Sequence, residues 1–141
     1  MADGMEQLFW NEKKYSVGCD TIDQQHKQIF GLINQLSTAS SEMIDDEMIM
    51  AILEELLEYS QEHLRYEEEV MEKCNYADLE NHKQQHWQYL EKVSALSVSA
   101  MGAEKEATKD IVTFLNKWWG QHILAEDMKY RPAIEKMKGK I

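Results

Sequence analysis

The fold is decided by residues 63–86, which read HLRYEEEVMEKCNYADLENHKQQH. His63 and Glu67 stand four residues apart before a short break, and His82 and His86 stand four apart after it. On an α-helix, residues four apart lie one above the other on the same face. The stretch therefore predicts two helices joined by a tight turn. Each helix presents a stacked pair of metal-ligand side chains where an apolar stripe is expected.

The composition favours an all-α fold. The chain has 141 residues, of which 43% are hydrophobic and 29% are charged, with one proline and six glycines. Helix formers such as Leu, Met, Glu, Gln and Lys are frequent, and runs of β-branched residues are missing. A chain of this length suits one domain with a sizeable core, so we expect a single domain over residues 1–141.

The net charge is −11, which argues against nucleic acid and anionic membrane surfaces as partners. No apolar stretch is long enough to span a bilayer, and the amino terminus shows no basic region followed by an apolar run. Cys19 and Cys74 are too few for a disulfide framework. We therefore expect a cytoplasmic monomer with two reduced thiols.

Hydrophobic periodicity predicts an antiparallel up-down-up-down four-helix bundle. Residues 1–21 lack this periodicity and are expected to form an extended arm that packs its aromatic side chains on the bundle. The bundle helices are expected at residues 22–37, 46–73, 78–97 and 104–122, with loops at 38–45 and 98–103. Because Pro132 is tolerated in a first helical turn, we expect a break before it and a short terminal helix at 132–138.

All five histidines lie on the apolar stripes of their predicted helices. They are His26, His63, His82, His86 and His122. A single buried histidine is usually a hydrogen-bonded packing residue. In an up-down-up-down bundle, however, the starts of the first and third helices and the ends of the second and fourth share one end of the molecule. At about 1.5 Å per residue the five heights agree within roughly two turns, which favours one common site.

Glu67 and Asp127 are the expected carboxylates of this site. Asp127 follows His122 at a spacing of five, which does not stack on a regular helix. It can point inward only if the helix kinks, bulges or ends after Gly120. The alternative is a solvated aspartate in a charged run.

The donor set indicates the metal. Five imidazoles and two carboxylates are too many for one ion and too few to saturate two octahedral ions. Imidazole with carboxylate suits iron, zinc or manganese, and zinc prefers closed tetrahedral sites. Two zinc ions are possible, but two irons bridged by Glu67, Asp127 and a hydroxide fit better.

Several short motifs follow one another along nearly the whole chain. They are Tyr15-Ser16-Val17-Gly18, Ile22-Asp23-Gln24-Gln25-His26-Lys27, His63-x-x-x-Glu67-Glu68, Tyr76, His82-x-x-x-His86 and Trp118-x-x-x-His122-Ile123-x-x-x-Asp127-x-x-Tyr130. In this order the motifs resemble the hemerythrin family, in particular its bacterial single-domain members. The ordered set of seven ligands is specific, whereas any one piece is weak.

The resemblance implies a four-helix bundle holding a non-haem pair of irons that binds dioxygen reversibly. It assigns His82, His86 and His122 to a filled iron, and His26 and His63 to an iron with an empty position. Glu67 and Asp127 would bridge the two, with Tyr130 beside them. The family pattern places Ile29, Leu64, Trp118, Trp119 and Ile123 around the oxygen pocket. Aromatic residues at helical spacing also pack simply as core.

Three residues depart from the family pattern. Trp119 stands where the family usually has an aliphatic residue, and Leu64 stands where it usually has an aromatic one. Trp119 is larger than the usual residue and Leu64 is smaller, so the two exchanges could compensate in size. They affect the expected pocket volume, oxygen affinity and autoxidation rate. Cys19 replaces a residue that is usually aliphatic and is expected to be an ordinary small core residue.

The leading functional hypothesis is reversible oxygen binding for carriage, storage or delivery, without enzymatic activity. Dioxygen is then the ligand, and an oxygen-consuming enzyme is a candidate partner. The alternatives are an oxygen or redox sensor, a di-iron enzyme that reduces peroxide or nitric oxide, and a bundle without a redox metal. The Glu-x-x-His pairs of carboxylate-rich di-iron enzymes do not occur in this chain, which favours the first hypothesis.

Overall fold

The computed structural model describes residues 7–41, 46–101 and 105–138. Within these ranges the regular secondary structure is helical, as the composition predicts. The elements are α1 (Glu12–Tyr15), α2 (Asp20–Ser41), α3 (Asp46–Lys73), α4 (Leu79–Met101), α5 (Lys105–Ala125), a 3-10 turn (Asp127–Tyr130) and α6 (Arg131–Lys138). None of the helices in the described ranges combines the length and the apolar character that a membrane crossing requires.

The four long helices form a bundle. α2 packs against α3 and α5, and α4 packs against the same two helices, so the contacts close into a ring. His26 near the start of α2 meets Glu67 near the end of α3, and His82 near the start of α4 meets His122 near the end of α5. Neighbouring helices therefore run in opposite directions, as the sequence predicts.

The turn between α3 and α4 reverses the chain in a few residues. Asn75 has a φ of 55°, in the left-handed region that asparagine tolerates better than most residues. The amide of Asn75 donates to the Glu72 carbonyl at 3.1 Å, and that of Tyr76 donates to the Met71 carbonyl at 2.9 Å. These two bonds satisfy the last carbonyls of α3 and fix the relative heights of the ligand pairs on either side.

The helices extend beyond several predicted ends. α2 continues to Ser41 instead of ending at residue 37, because Ala39 is buried against the core. α4 continues to Met101, through part of the predicted loop. The Ser97 hydroxyl donates to the Val93 carbonyl four residues earlier, which is compatible with an unbroken helix. The predicted loop residues 42–45 and 102–103, and the predicted helix start at 104, lie outside the described residues.

The amino-terminal arm is not wholly extended, contrary to the prediction. Residues 12–15 form the short helix α1, which Asn11 caps by accepting a hydrogen bond from the Lys14 amide at 3.1 Å. Tyr15 stacks with Trp10 and meets Phe30 of α2 edge-on, with ring centroids 5.1 Å apart in the second pair. The expected packing of arm aromatics on the bundle therefore holds for these two, whereas Phe9 is 73% exposed.

Polar contacts tie the arm to α2 and to the terminal helix. Asp23 of α2 accepts from the Ser16 hydroxyl at 2.6 Å and from the Val17 amide at 2.9 Å. Arg131 of α6 donates to the Ser16 carbonyl at 2.9 Å, and Lys138 donates to the Gly18 carbonyl. The terminal helix therefore holds the arm against the end of the molecule where the histidines lie.

A polar layer divides the bundle interior into two apolar clusters. The larger cluster includes Ile29, Leu64, Tyr89, Trp119 and Ile123, and the smaller one includes Val17, Ile22, Met71, Tyr130 and Ile134. Along α2, α3 and α4, ligand side chains lie where residues of one cluster give way to residues of the other. On α5, His122 is flanked by Trp119 and Ile123 of the larger cluster, and Asp127 follows in the 3-10 turn that also contains Tyr130 of the smaller one. Cys19 and Cys74 are both free thiols packed against the smaller cluster.

Asp23→Ala should destabilise the protein by about 1–3 kcal/mol, because the buried Val17 amide loses its acceptor. Urea unfolding followed by circular dichroism measures the change. Asp110→Ala, which removes an exposed carboxylate from α5, is the matched control and should change the free energy of unfolding by less than about 0.5 kcal/mol. Equal effects of the two substitutions would show that the arm contacts contribute nothing.

Candidate metal centre

The structure brings all seven predicted ligand side chains together in the polar layer. They are His26, His63, Glu67, His82, His86, His122 and Asp127, and every one is buried. α2 contributes one, α3 and α4 contribute two each at a spacing of four, and the end of α5 with the following 3-10 turn contributes two. The helical spacing that predicted the stacked pairs therefore also explains how the bundle assembles them.

Glu67 lies between the histidines of three helices. Its Oε2 is 3.5 Å from His26 Nε2 and 3.3 Å from His63 Nε2. Its Oε1 is 3.2 Å from His82 Nε2 and 3.0 Å from His86 Nε2. Each oxygen of the carboxylate thus faces a different set of imidazoles.

Asp127 divides its oxygens in the same way. Its Oδ2 is 3.3 Å from His26 Nε2, while its Oδ1 is 2.9 Å from His82 Nε2 and 3.0 Å from His122 Nε2. The side chain reaches the interior because α5 ends at Ala125 and a 3-10 turn begins at Asp127. The break required by the spacing of five is present, although it falls later than Gly120.

The two carboxylates separate the donors into two groups. The three-histidine group contains His82, His86 and His122 with Glu67 Oε1 and Asp127 Oδ1, which makes five donor atoms. The two-histidine group contains His26 and His63 with Glu67 Oε2, and Asp127 Oδ2 approaches it through His26, which makes four. The possible metal-ligand atoms of Glu67, His82, His86, His122 and Asp127 lie within 4.8 Å of one another. The same limit holds among His26, His63 and Glu67.

The possible metal-ligand atoms lie close together, but several of them form no hydrogen bond. Both oxygens of Asp127 and the Nε2 atoms of His26, His63 and His86 are buried without a partner of hydrogen-bond geometry. A buried polar atom left in this way costs about 1–3 kcal/mol. Since cations placed among these nitrogens and oxygens would satisfy them together, the residues fit a metal site.

Two further side chains orient the imidazoles from behind. Gln25 Oε1 lies 2.6 Å from His63 Nδ1, and Glu68 Oε2 lies 2.7 Å from His86 Nδ1. If each Nδ1 donates to its oxygen, each Nε2 carries a lone pair directed into the site. Neither Gln25 nor Glu68 was predicted to act at the site, although each is a polar residue next to a predicted ligand.

Tyr130 lies beside Glu67, as the resemblance implies. Its hydroxyl donates to Glu67 Oε2 at 3.0 Å, and the side chain is fully buried. Burial and the nearby carboxylates Glu67 and Asp127 raise the pKa of Tyr130 well above its ordinary value. The phenol therefore keeps its proton and remains a hydrogen-bond donor to Glu67.

Without metal, the site holds its carboxylates ionised. Burial alone would raise the pKa of Glu67, but the imidazoles of His26, His63, His82 and His86 hold it well below its ordinary value. The pKa of Asp127 is also lowered, because His122 and His26 outweigh burial and the charge of Glu67.

The imidazoles respond in opposite directions. Burial lowers the pKa of histidines, and it prevails at His63, whose pKa falls. At His26 and His82, the close approach of the Asp127 and Glu67 carboxylates outweighs burial and raises the pKa to about 9 and about 10, respectively. At neutral pH the metal-free site therefore carries protons on both of these imidazoles.

The predicted oxygen-pocket residues do not all lie on the same side of the site. The Trp119 ring centroid is 5.6 Å from that of His63 and 6.3 Å from that of His26, so the indole borders the two-histidine group. Trp118 instead stacks on His122 at 4.2 Å with an interplanar angle of 11°, which places it against the three-histidine group. Ile29, Leu64 and Ile123 are buried in the same apolar cluster as Trp119.

Metal binding should release about two protons per chain at pH near 7.5, because His26 and His82 must be neutral to act as ligands. Anaerobic calorimetric titration with ferrous iron, in two buffers of different ionisation enthalpy, measures the number. The release should decline as the pH approaches the raised pKa values of about 9 and about 10. Identical heats in the two buffers would contradict the protonated metal-free site.

Glu68→Ala should weaken metal binding by about 10–100-fold, because His86 loses the acceptor that orients its ring. Competition with a chromophoric chelator measures the affinity. Glu69→Ala removes an exposed carboxylate of equal charge from the next position and is the matched control. An equal loss in both variants would mean that only the net charge matters.

Comparisons with known proteins agree with this geometry. The family described as "Hemerythrin HHE cation binding domain" matches residues 17–134. A bacteriohemerythrin of Stenotrophomonas maltophilia is 28% identical over 131 residues, which cover 93% of this chain and 84% of that protein. A bacteriohemerythrin of Pseudomonas aeruginosa is 30% identical over 130 residues, covering 92% and 83%, respectively.

The fold comparison gives the same result. The crystal structure of a wild-type hemerythrin is similar with a TM-score of 0.84 at 27% identity, covering 92% of this chain and 98% of that one. The family match spans all seven clustered side chains, from His26 to Asp127. The chain belongs to the hemerythrin family and carries its cation-binding domain.

Proposed function

We propose that this protein binds dioxygen reversibly at a pair of iron ions and serves as an oxygen carrier or store. The observation that carries the proposal is the division of the donors by Glu67 and Asp127 into groups of five and four atoms. An octahedral pair that also shared one bridging oxygen would be filled on the three-histidine side. It would keep one position for a ligand on the two-histidine side.

The proposal of iron rests on the chemistry of the donors. Imidazole nitrogens combined with carboxylate oxygens suit iron, zinc and manganese, and the site lacks the thiolates that softer metals select. A pair of irons bound here would supply reversible oxygen binding. Five neutral imidazoles against two carboxylates place little negative charge on the pair, which favours return to the reduced state over further oxidation.

The surroundings of the two-histidine group support binding over turnover. Ile29, Leu64, Trp119 and Ile123 are buried and apolar, so they exclude water from this side. Tyr130 donates to Glu67 from the smaller cluster, on the other side of the polar layer from that apolar lining. The aliphatic members of this lining have no proton to give to a bound ligand, which favours its release over further reduction.

Purified protein reconstituted with ferrous iron under argon should hold about two iron atoms per chain. Exposure to air should produce a coloured form that bleaches under argon and returns in air over many cycles. Metal analysis and visible absorption measure both properties. Rapid oxidation with turnover of peroxide or nitric oxide would instead favour the di-iron enzyme, and retention of zinc alone would contradict the assignment of iron.

His82→Ala provides the matching test of the ligands. His82 contacts both carboxylates, so its loss should lower the iron content and abolish the oxygen-dependent spectrum. Gln84→Ala changes an exposed residue of the same helix and should retain both. Normal iron content in the His82 variant would count against this site.

A further inference from the structure

Trp119 is the largest fully buried side chain beside the two-histidine group. It is 0% exposed and lies on α5 one turn before His122. Its ring borders both His63 and His26. The indole therefore occupies the side of the site where the proposed function places the ligand.

A chain of hydrogen bonds runs from this indole into α3. Trp119 Nε1 donates to the Tyr89 hydroxyl at 3.1 Å, and Tyr89 donates to Ser60 Oγ at 3.3 Å. Ser60 in turn donates to the Leu57 carbonyl at 3.0 Å. An indole N–H can only donate, so it fixes the direction of every bond that follows.

The three side chains of this hydrogen-bond series are shielded from solvent and keep their protons. Ser60, Tyr89 and Trp119 are buried to 1% exposure or less. Burial raises the pKa of Tyr89 to about 12, so its hydroxyl keeps the proton that it donates to Ser60. Because no solvent reaches these groups, loss of any one hydroxyl would leave a buried partner unsatisfied.

Aromatic contacts confine the indole on further sides. Tyr89 meets it edge-on with ring centroids 5.4 Å apart, and Trp118 meets it edge-on at 4.9 Å. A tryptophan that only filled core volume could settle in several orientations. Here the hydrogen bond to Tyr89 selects one orientation. Because Tyr89 belongs to α4 and Ser60 to α3, two other helices together hold the indole in place.

We propose that Tyr89, anchored by Ser60, is a positioning residue that fixes Trp119 as a plug beside the two-histidine group. The plug would oppose ligands longer than a diatomic, such as azide, because the indole borders both histidines of this group. This inference rests on the proposed function, because it concerns which ligands reach that side of the iron pair. It assigns the selectivity of the site to a contact outside the set of metal ligands.

The first test compares ligand association in iron-loaded protein by stopped flow, with azide added to the oxidised form and dioxygen to the reduced form. Trp119→Leu should raise the azide rate constant relative to that of dioxygen by about tenfold or more, because the pocket gains room for a third atom. Tyr89→Phe should raise the same ratio by about fivefold, the effect of losing one buried hydrogen bond.

The second test needs no iron. The ultraviolet resonance Raman band of the indole N–H reports its hydrogen bond, and subtraction of the Trp119→Leu spectrum isolates Trp119. Tyr89→Phe should shift this band to that of a weakly bonded indole. Phe114→Leu is the control, because Phe114 stacks on the Tyr89 ring at 6.0 Å without joining the hydrogen-bond chain. It should change neither the band nor the ratio of rates.

The outcomes are distinguishable. If the ratio of the azide to the dioxygen association rate constant rises in Trp119→Leu and not in Tyr89→Phe, the positioning role of Tyr89 is overturned. A ratio unchanged in both would overturn the plug. An N–H band unshifted in Tyr89→Phe would contradict the inference whatever the protein binds. Iron-loaded wild-type protein that bound neither ligand would instead overturn the proposed function, and the selectivity with it.

Discussion

The structure depends on a layer of seven ionisable side chains that crosses the bundle interior between two apolar clusters. Such a layer would be strongly unfavourable if its members had to find partners only among themselves, because several donor atoms are left without hydrogen bonds. Metal binding removes this penalty. The bundle and the site are therefore coupled, and the metal-free protein should lose stability at the very level where its function lies.

The same requirement explains the end of the chain. Asp127 and Tyr130 both belong to the 3-10 turn. Asp127 is itself a member of the layer, and Tyr130 contacts the layer by donating a hydrogen bond to Glu67. α6 follows at once, and its residues Arg131 and Lys138 bind carbonyls of the arm. The break after α5 thus delivers the second carboxylate and also starts the helix that secures the arm. Local departure from helical geometry supports both the site and the closure of the fold.

Much of this arrangement could be predicted because a spacing of four is a property of the helix itself. It gives His63 above Glu67 and His82 above His86 whatever the helices pack against. Helix geometry also separates the two neighbouring indoles. Neighbouring residues on a helix point in directions about 100° apart, so Trp118 and Trp119 cannot both face the two-histidine group. The helix ends were misjudged where Ser97 bonds to its own helix, and the roles of Gln25 and Glu68 depend on which ring nitrogen faces inward.

The two indoles make the two sides of the site unequal. Trp118 lies flat on His122 and is partly exposed, so it covers this imidazole with a ring that itself reaches solvent. Trp119 is fully buried and is bonded through Tyr89 to Ser60, so the two-histidine group lies behind a fixed wall. The side with fewer ligand atoms is therefore also the one more fully enclosed by the protein. The proposed reversible binding would benefit from this arrangement, because a ligand that enters an enclosed apolar site can leave again before water or protons reach it.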